Sequence, residues 1–250
     1  MAFADHFSTI AARYAAYRPH YPPELVEVLA DRAPHGTAWD VGCGNGQLSV
    51  ALAARFVQVI ATDPSQAQLA AATPAPGVEY RCAPAEASSL PPRSIALVVA
   101  AQAAHWFAWP AFLAEVARVA APDALVALVS YGILVVDDAG ADAIIAAYYH
   151  RDAAPYWPPE RVHVENGYRD LILPWPTVPA PPVEMTAAWT RDELLGYLTT
   201  WSATVKLVAA RGTQPLAAVA DALAAIWPDG ERRDIRWPLT VKLARVRTID

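Results

Sequence analysis

The residue types and spacing best suited to chemistry lie in the run Ala38-Trp39-Asp40-Val41-Gly42-Cys43-Gly44-Asn45-Gly46. Apolar residues lead into Asp40, three glycines follow at alternate positions, and a helix-forming run from Gln47 to Arg55 begins at once. A buried strand, a tight glycine turn and a helix N-terminus form a cradle for a nucleoside-bearing ligand, because backbone N–H groups there point outward. Gly42 permits the sharp exit from the strand, and Gly44 brings the backbone close to a ligand with no Cβ between them. A second acid extends the pattern. Residues 57–62 read as a β-branched strand ending at Asp63, about 20 residues past the glycines, where a Rossmann-like fold offers a carboxylate to ribose hydroxyls. Each hydroxyl donated to an ionised carboxylate contributes roughly 1.5–3 kcal/mol. Asp63-Pro64-Ser65 is also a good helix opener, so a helix cap is the competing reading of Asp63.

These residues need a strand–helix alternation to hold them. Strands are expected near 37–41, 57–62, 78–82, 95–101 and 124–130, with helices near 47–55, 65–72 and 110–120. Such alternation predicts a parallel sheet with helices on both faces. Ahead of it, Phe3, Phe7, Ile10, Tyr14 and Tyr17 recur at near-helical spacing, and Pro23 opens a helix over 24–31. After Ser130 the pattern changes. A helix over 138–151 leads into Pro155-Tyr156-Trp157-Pro158-Pro159 and a proline-rich stretch over 174–182. A strand over 183–189, helices over 191–201, 203–211 and 214–227, and an alternating edge strand over 237–247 complete the chain. The expected organisation is a single domain over 1–250. It divides into an N-terminal cap (1–35), a core (36–130), a cap or substrate region (131–236) and the edge strand (237–250).

Composition excludes several classes of function. With 55% hydrophobic and 18% charged residues the chain has ample core and no disorder signature. A net charge of −6 without a Lys/Arg cluster leaves no footprint for nucleic acid or an anionic membrane. No basic-apolar leader is visible, and no run approaches the roughly 18 apolar residues of a membrane span. Cys43 and Cys82 are the only cysteines, which fits a reducing cytoplasm, and the six histidines show no metal-ligand spacing. No metal is expected. The oligomeric state is not legible.

The glycine spacing is GxGxG, not GxGxxG, because position 47 is Gln, and an acid stands two places before the first glycine. This resembles motif I of the class I S-adenosylmethionine (SAM) methyltransferases more than a dinucleotide fingerprint. Across nearly the whole chain the sequence resembles the ubiquinone/trans-aconitate methyltransferase-like (type 11) group. The resemblance is carried by Phe3-Ala4-Asp5-His6-Phe7, Tyr14-Ala15-Ala16-Tyr17-Arg18-Pro19, His105-Trp106-Phe107, Tyr156-Trp157 and the run from Leu194 to Ser202. It implies a Rossmann-like α/β sheet, mostly parallel with an antiparallel edge strand, plus N-terminal helices and a C-terminal helical cap. It also implies SAM as cofactor and a small-molecule substrate. Asp40, Gly42, Cys43, Gly44 and Gly46 would then frame its methionine half, Asp63 its ribose, Ala85 and Glu86 its adenine, and Ala101 and Gln102 the sulfonium. Two departures from the family pattern stand out. Ser94 to Leu97 lacks the usual Asp before the fourth strand, and Pro122-Asp123-Ala124 replaces a Pro-Gly-Gly turn.

SAM carries its own activated methyl, so the protein need only align an acceptor (carboxylate, hydroxyl, thiol or amine), and proximity supplies about 7–11 kcal/mol of the barrier. His105 lies at the C-terminal end of the fourth strand and is the candidate base or substrate contact, against a plain packing role. Arg18 could clamp the SAM carboxylate or an acidic substrate, or cap the Tyr-Arg-Pro turn. Tyr17, Trp106, Tyr131, Trp157, Tyr168, Tyr197 and Trp201 are candidates to line an apolar substrate pocket, although each alone also suits a core. Two other functions stay open at this level: a non-catalytic SAM-binding protein and, opposed by Asp40 and the glycine spacing, a nicotinamide oxidoreductase.

Overall fold

The computed structural model describes residues 17–246. The aromatic pattern from Phe3 to Tyr14, with Asp5 and His6, lies outside these residues, as does Thr248. From Pro23 the chain runs α1 (Pro23–Arg32), β1 (Thr37–Val41), α2 (Gln47–Leu52), β2 (Gln58–Asp63), α3 (Gln66–Ala70), β3 (Val78–Cys82) and β4 (Ile95–Ala101). It continues with α4 (Trp109–Val119), β5 (Ala120–Tyr131), β6 (Val135–Val136), α5 (Ala139–Ala147) and α6 (Arg161–Glu165). The remainder comprises β7 (Thr177–Val178), β8 (Met185–Trp189), α7 (Arg191–Thr199), α8 (Ser202–Arg211), α9 (Gln214–Ala224), β9 (Arg233–Trp237) and β10 (Leu239–Arg245).

The main sheet has the order β3-β2-β1-β4-β5-β10-β7. Its first five strands pair in parallel and β10 runs antiparallel to β5. The antiparallel strand expected at the C-terminal end is therefore present, one step in from the edge. The two residues of β7, from the proline-rich stretch, pair outside it at Leu243 and Ala244. Strand β9 and the short β6 are additions that the sequence pattern did not reveal. With β8 they form a separate antiparallel sheet, so Trp237 belongs to β9 and not to the strand that follows.

Alternation along each strand sorts side chains into two cores. Trp39, Val98, Ala100, Val126 and Leu128 face one side of the sheet, where they meet Phe112, Val116 and Val119 of α4. Ala38, Leu97, Val99, Leu125 and Ala127 face the other, against Leu25 and Leu29 of α1 and Leu48 and Leu52 of α2. A third core belongs to the C-terminal cap, where Ile145, Tyr148, Leu194, Leu198, Leu207 and Trp227 pack together. Helix α7 of this cap opens on a capping box, with Thr190 Oγ1 accepting from Glu193 N and the Glu193 carboxylate accepting from Thr190 N. Helix α5 continues past Ala147 into a π-helical turn over Tyr148–Asp152. The departure at Pro122-Asp123-Ala124 also has a physical account. Asp123 adopts φ 58°, the left-handed region that glycine favours and Asp tolerates.

The loop that carries Ala85 and Glu86 is pinned to α4 by one buried acid. Glu115 accepts from the backbone N–H of Ser88 at 2.8 Å and from its hydroxyl, and Arg118 donates two further bonds at 2.7 Å. The Arg118 bonds pull the Glu115 carboxyl down to about 2; Ser88 adds to the effect while burial opposes it. A depressed folded pKa means that this stabilisation is present above the ordinary value of 4.5 and is lost as pH falls through about 2. Glu115→Ala is expected to cost about 2–4 kcal/mol at neutral pH, read as a lower urea midpoint, because buried charge-assisted bonds are lost. Wild-type and variant stabilities should converge as the buffer approaches pH 2.

Candidate active site

The strand order reverses between β1 and β4, and the chain leaves both strands at the same edge of the sheet. Open α/β sheets bind ligands at such a switch point. A cleft of about 1030 Å³ opens here, lined by the glycine loop, the ends of β2 and β4, residues 84–86, and the 158–163 segment of the cap.

The glycine loop is tied down from below. Trp39 Nε1 donates to Thr62 Oγ1 at 2.9 Å, and Gly42 N and Cys43 N donate to the Thr62 carbonyl at 2.8 and 3.0 Å. Asp63 is 8% exposed; its Oδ2 accepts from Gly44 N at 2.9 Å and its Oδ1 from Ser65 N at 2.8 Å. The cap of α3 itself is the Ser65 hydroxyl, which accepts from Gln68 N. Asp63 thus braces the loop and the helix entry together.

Asp40 is 1% exposed and its Oδ2 accepts from the Ser49 hydroxyl at 2.6 Å. Burial pushes its carboxyl up from 3.8 to about 7; Ser49 opposes the shift and the nearby Asp63 adds to it. A Cβ on Gly44 would meet only Gln68 Oε1, at 3.8 Å, so that face of the backbone is open to the cleft. Gly42 differs, because a Cβ there would stand 2.5 Å from Ala103 Cβ. Cys43, whose thiol is pushed up by burial and the two acids, also lines the cleft.

Of the other cofactor candidates, Arg18, Ala85, Glu86, Ala101 and Gln102 all line the cleft. Glu86 accepts from Ala108 N at 2.7 Å, and Gln102 sits at φ 52° with its Nε2 donating to the Tyr131 carbonyl. Gly46 is displaced from this group. It opens α2 against the Tyr80 ring and does not line the cleft.

The aromatic candidates divide. Trp106 and Tyr131 line both the cleft and an adjoining small cavity, whereas Trp157, Tyr197 and Trp201 line the small cavity alone. Trp157 and Trp201 lie with ring centroids 5.6 Å apart. Tyr17 lines neither space; its ring packs over Gly196 and is 36% exposed. Tyr168 is buried in the core below, so it is not a lining residue, but its hydroxyl lies 2.8 Å from His105 Nδ1. His105 itself lines both spaces. Burial, with Arg161 and His163 adding, pushes its imidazole down from 6.5 to about 3. That value suits a neutral hydrogen-bonding group better than a proton acceptor.

Sequence reasoning missed Gln47, Ser65, Gln68, Arg161, His163 and Lys206, which also line these spaces. Gln47, the residue after the last glycine, and Ser65, two places past Asp63, carried a positional signal; the others come from segments whose docking the pattern does not encode.

The cleft fits a cationic nucleoside ligand. Its carboxylates Asp40 and Asp63 favour a ligand of positive charge, and Gly44 leaves the backbone bare. Gln47 Nε2 and Gln102 Oε1 are buried without a hydrogen-bond partner among the described residues. Such groups cost free energy unless a ligand or water engages them. No group of three His, Cys, Asp or Glu among the described residues is placed to hold a metal ion.

Comparisons with known proteins agree with this geometry. Residues 39–128 match the model of a methyltransferase domain family. A type II methyltransferase structure from Anaeromyxobacter dehalogenans is 45% identical, covering 92% of this chain and 99% of its own, with a TM-score of 0.86. A protein of Dictyostelium discoideum named as a methyltransferase is 29% identical over 97% of this chain and 95% of its own length. A Saccharomyces cerevisiae protein named as an S-adenosylmethionine-dependent methyltransferase is 32% identical over 38% of this chain and 36% of its own length. With the glycine cradle, the acids at the ends of β1 and β2 and the switch-point cleft already in place, the chain belongs to the class I SAM-dependent methyltransferases and is an enzyme with SAM as its cofactor.

Proposed function

We propose that the acceptor is a small molecule held in the cavity beside the cofactor cleft, and that methyl transfer proceeds by in-line displacement. The observation that carries this reading is the continuity of the two spaces through Arg18, Gln102, His105, Trp106 and Tyr131. When bound, the cofactor supplies a methyl already activated on sulfur. The chain's own residues then bind, orient and exclude water. Asp63 would accept from the ribose hydroxyls, and Asp40 would face the methionine half. Residues 131–133, 157–161 and 197–202 form a cover over the site whose aromatic side chains keep water from the reacting atoms. A protein acting on a small metabolite also fits the cavity better than one acting on a polymer, since the acceptor space is about 50 Å³. A cytoplasmic setting is part of the proposal; Cys43 and Cys82 are both free thiols, and no helix among the described residues is long and apolar enough to cross a membrane.

An assay with labelled SAM against a panel of small acids, phenols, thiols and amines tests the reading. Transfer to none of them, alongside transfer to a protein or nucleic acid, would sink it.

The cofactor residues make separable predictions. Gly44→Val should abolish SAM binding in calorimetry, because its side chain enters open cleft, and should also lower thermal stability, because Gly44 sits at φ 55°, where a β-branched residue is strained. Asp63→Ala should weaken binding by a few kcal/mol and lower thermal stability by about 1–3 kcal/mol, since two backbone N–H groups lose their acceptor.

Asp40 links binding to pH. Its folded pKa lies above the unfolded value of 3.8, so folding favours the protonated form; its stabilising contribution is full below about pH 4 and lost as pH rises through about 7. A cationic cofactor favours the ionised carboxylate. SAM affinity should therefore rise between about pH 5 and pH 8, with Asp40 giving up a proton on binding. Calorimetry at one pH in buffers of different ionisation enthalpy measures that proton, and Asp40→Asn should eliminate it.

His105, held near 3, should contribute no ionisation to the kcat/KM profile between about pH 5 and pH 8. If an inflection near 6.5 disappears in His105→Gln, His105 is a base after all.

A further inference from the structure

The small cavity differs from the cofactor cleft in the sign of its charge. The cleft is lined by four carboxylates, Asp40, Asp63, Glu86 and Glu160, against two cations, Arg18 and Lys206. The cavity, about 50 Å³ and large enough for roughly three or four waters, is lined by Arg18 and Arg161 and by no carboxylate. In a chain of net charge −6 this is a local reversal.

Arg161 opens helix α6 in the cap. Its side chain makes one hydrogen bond, from Nε to Tyr149 Oη at 2.9 Å, and no ion pair among the described residues. The guanidinium lies over the Trp157 ring, 4.6 Å from its centroid, and 5.5 Å from that of Tyr149. Its terminal nitrogens are therefore available as a planar fork, which matches a carboxylate or phosphate. The acid beside it, Glu165, is engaged one hydroxyl away, where it accepts from Tyr149 Oη at 2.5 Å. Trp157 Nε1–H, in the same wall, is buried without an acceptor among the described residues. His105 adds a third hydrogen-bonding group: its Nδ1 is paired with Tyr168 Oη at 2.8 Å, which leaves Nε2 for a ligand.

We propose that this cavity binds the anionic oxygen group of an otherwise apolar acceptor, a carboxylate or a phosphate monoester, with Arg161 as the residue that determines specificity. The proposal rests on the methyltransferase reading and narrows its substrate class. Aromatic walls could equally enclose a quaternary ammonium through cation–π contacts. Here two of the five Trp and Tyr rings that line the cavity already carry a guanidinium: Arg161 covers Trp157, and Arg18 lies 5.5 Å from the Tyr197 centroid. An ammonium would meet two guanidiniums in a half-buried space, where like charges repel strongly.

The test uses the full chain saturated with S-adenosylhomocysteine and four probes of one shape: benzoate, phenyl phosphate, benzamide and benzylamine. Calorimetry should show one of the two anions binding at least tenfold more tightly than benzamide, with no binding of benzylamine; which anion wins identifies the group. Arg161→Gln should lose at least tenfold in affinity for that anion, Arg161→Lys should lose less, and both should keep the wild-type affinity for S-adenosylhomocysteine and the wild-type melting temperature. Equal binding of benzamide, preference for benzylamine, absence of binding by both anions, or an unaltered anion affinity in Arg161→Gln overturns the proposal while S-adenosylhomocysteine still binds. Failure of S-adenosylhomocysteine itself to bind overturns the cofactor assignment beneath it.

Discussion

The site depends on one carboxylate that holds two backbone segments at once. Asp63, at the end of β2, takes the N–H of Gly44 on one oxygen and that of Ser65 on the other. The glycine turn and the entry to α3 are therefore fixed relative to each other by the same side chain. A glycine-rich turn alone has high conformational entropy. Anchored from β2 by Asp63 and the Thr62 carbonyl, it becomes a preorganised cradle. Preorganisation matters because ligand binding then carries little of the ordering cost.

The second organising feature is the separation of charge along the cleft. Asp40 and Asp63 stand on the core side, and their proximity raises the pKa of Asp40 beyond what burial alone achieves. Arg161 stands on the cap side, and Arg18 lines both spaces. His105, which also lines both, remains neutral and is hydrogen-bonded to Tyr168.

The cap contributes more than a cover. Its aromatic side chains form a connected stack, Tyr149, Trp157, Trp201 and Tyr197, with neighbouring ring centroids 5.1–5.7 Å apart. The stack starts in the π-helical turn after α5, an irregularity found often at functional sites. Lys242 of β10 donates to the carbonyls of Tyr168 and Leu171 and so fastens the segment that reaches His105 back onto the main sheet. Core and cap are joined beside the small cavity.

Much of the fold was legible in the chain because its signals are local. Alternation of β-branched and apolar runs marked the five parallel strands, and the GxGxG spacing marked the turn. Strands β6, β7 and β9 were not legible, since they are short or polar and exist only through their partners. Trp237 illustrates the reason: its burial comes from β8 and the cap, not from any pattern around it. The site divides in the same way. Asp40, Gly44 and Asp63 stand next to strand ends and could be read directly. Gly46 and Tyr17 have suitable identities, yet packing against Tyr80 and Gly196 keeps them from the cleft. Arg161 and the neutral state of His105 depend on segments brought together from residues 104–106, 148–168 and the cap. The sequence by itself determined the sheet, the cradle and the cofactor class, because each rests on neighbours within a strand–turn–helix unit. Only the tertiary structure decided the charge of the acceptor cavity and the protonation of the groups lining it, because burial and long-range contact set both.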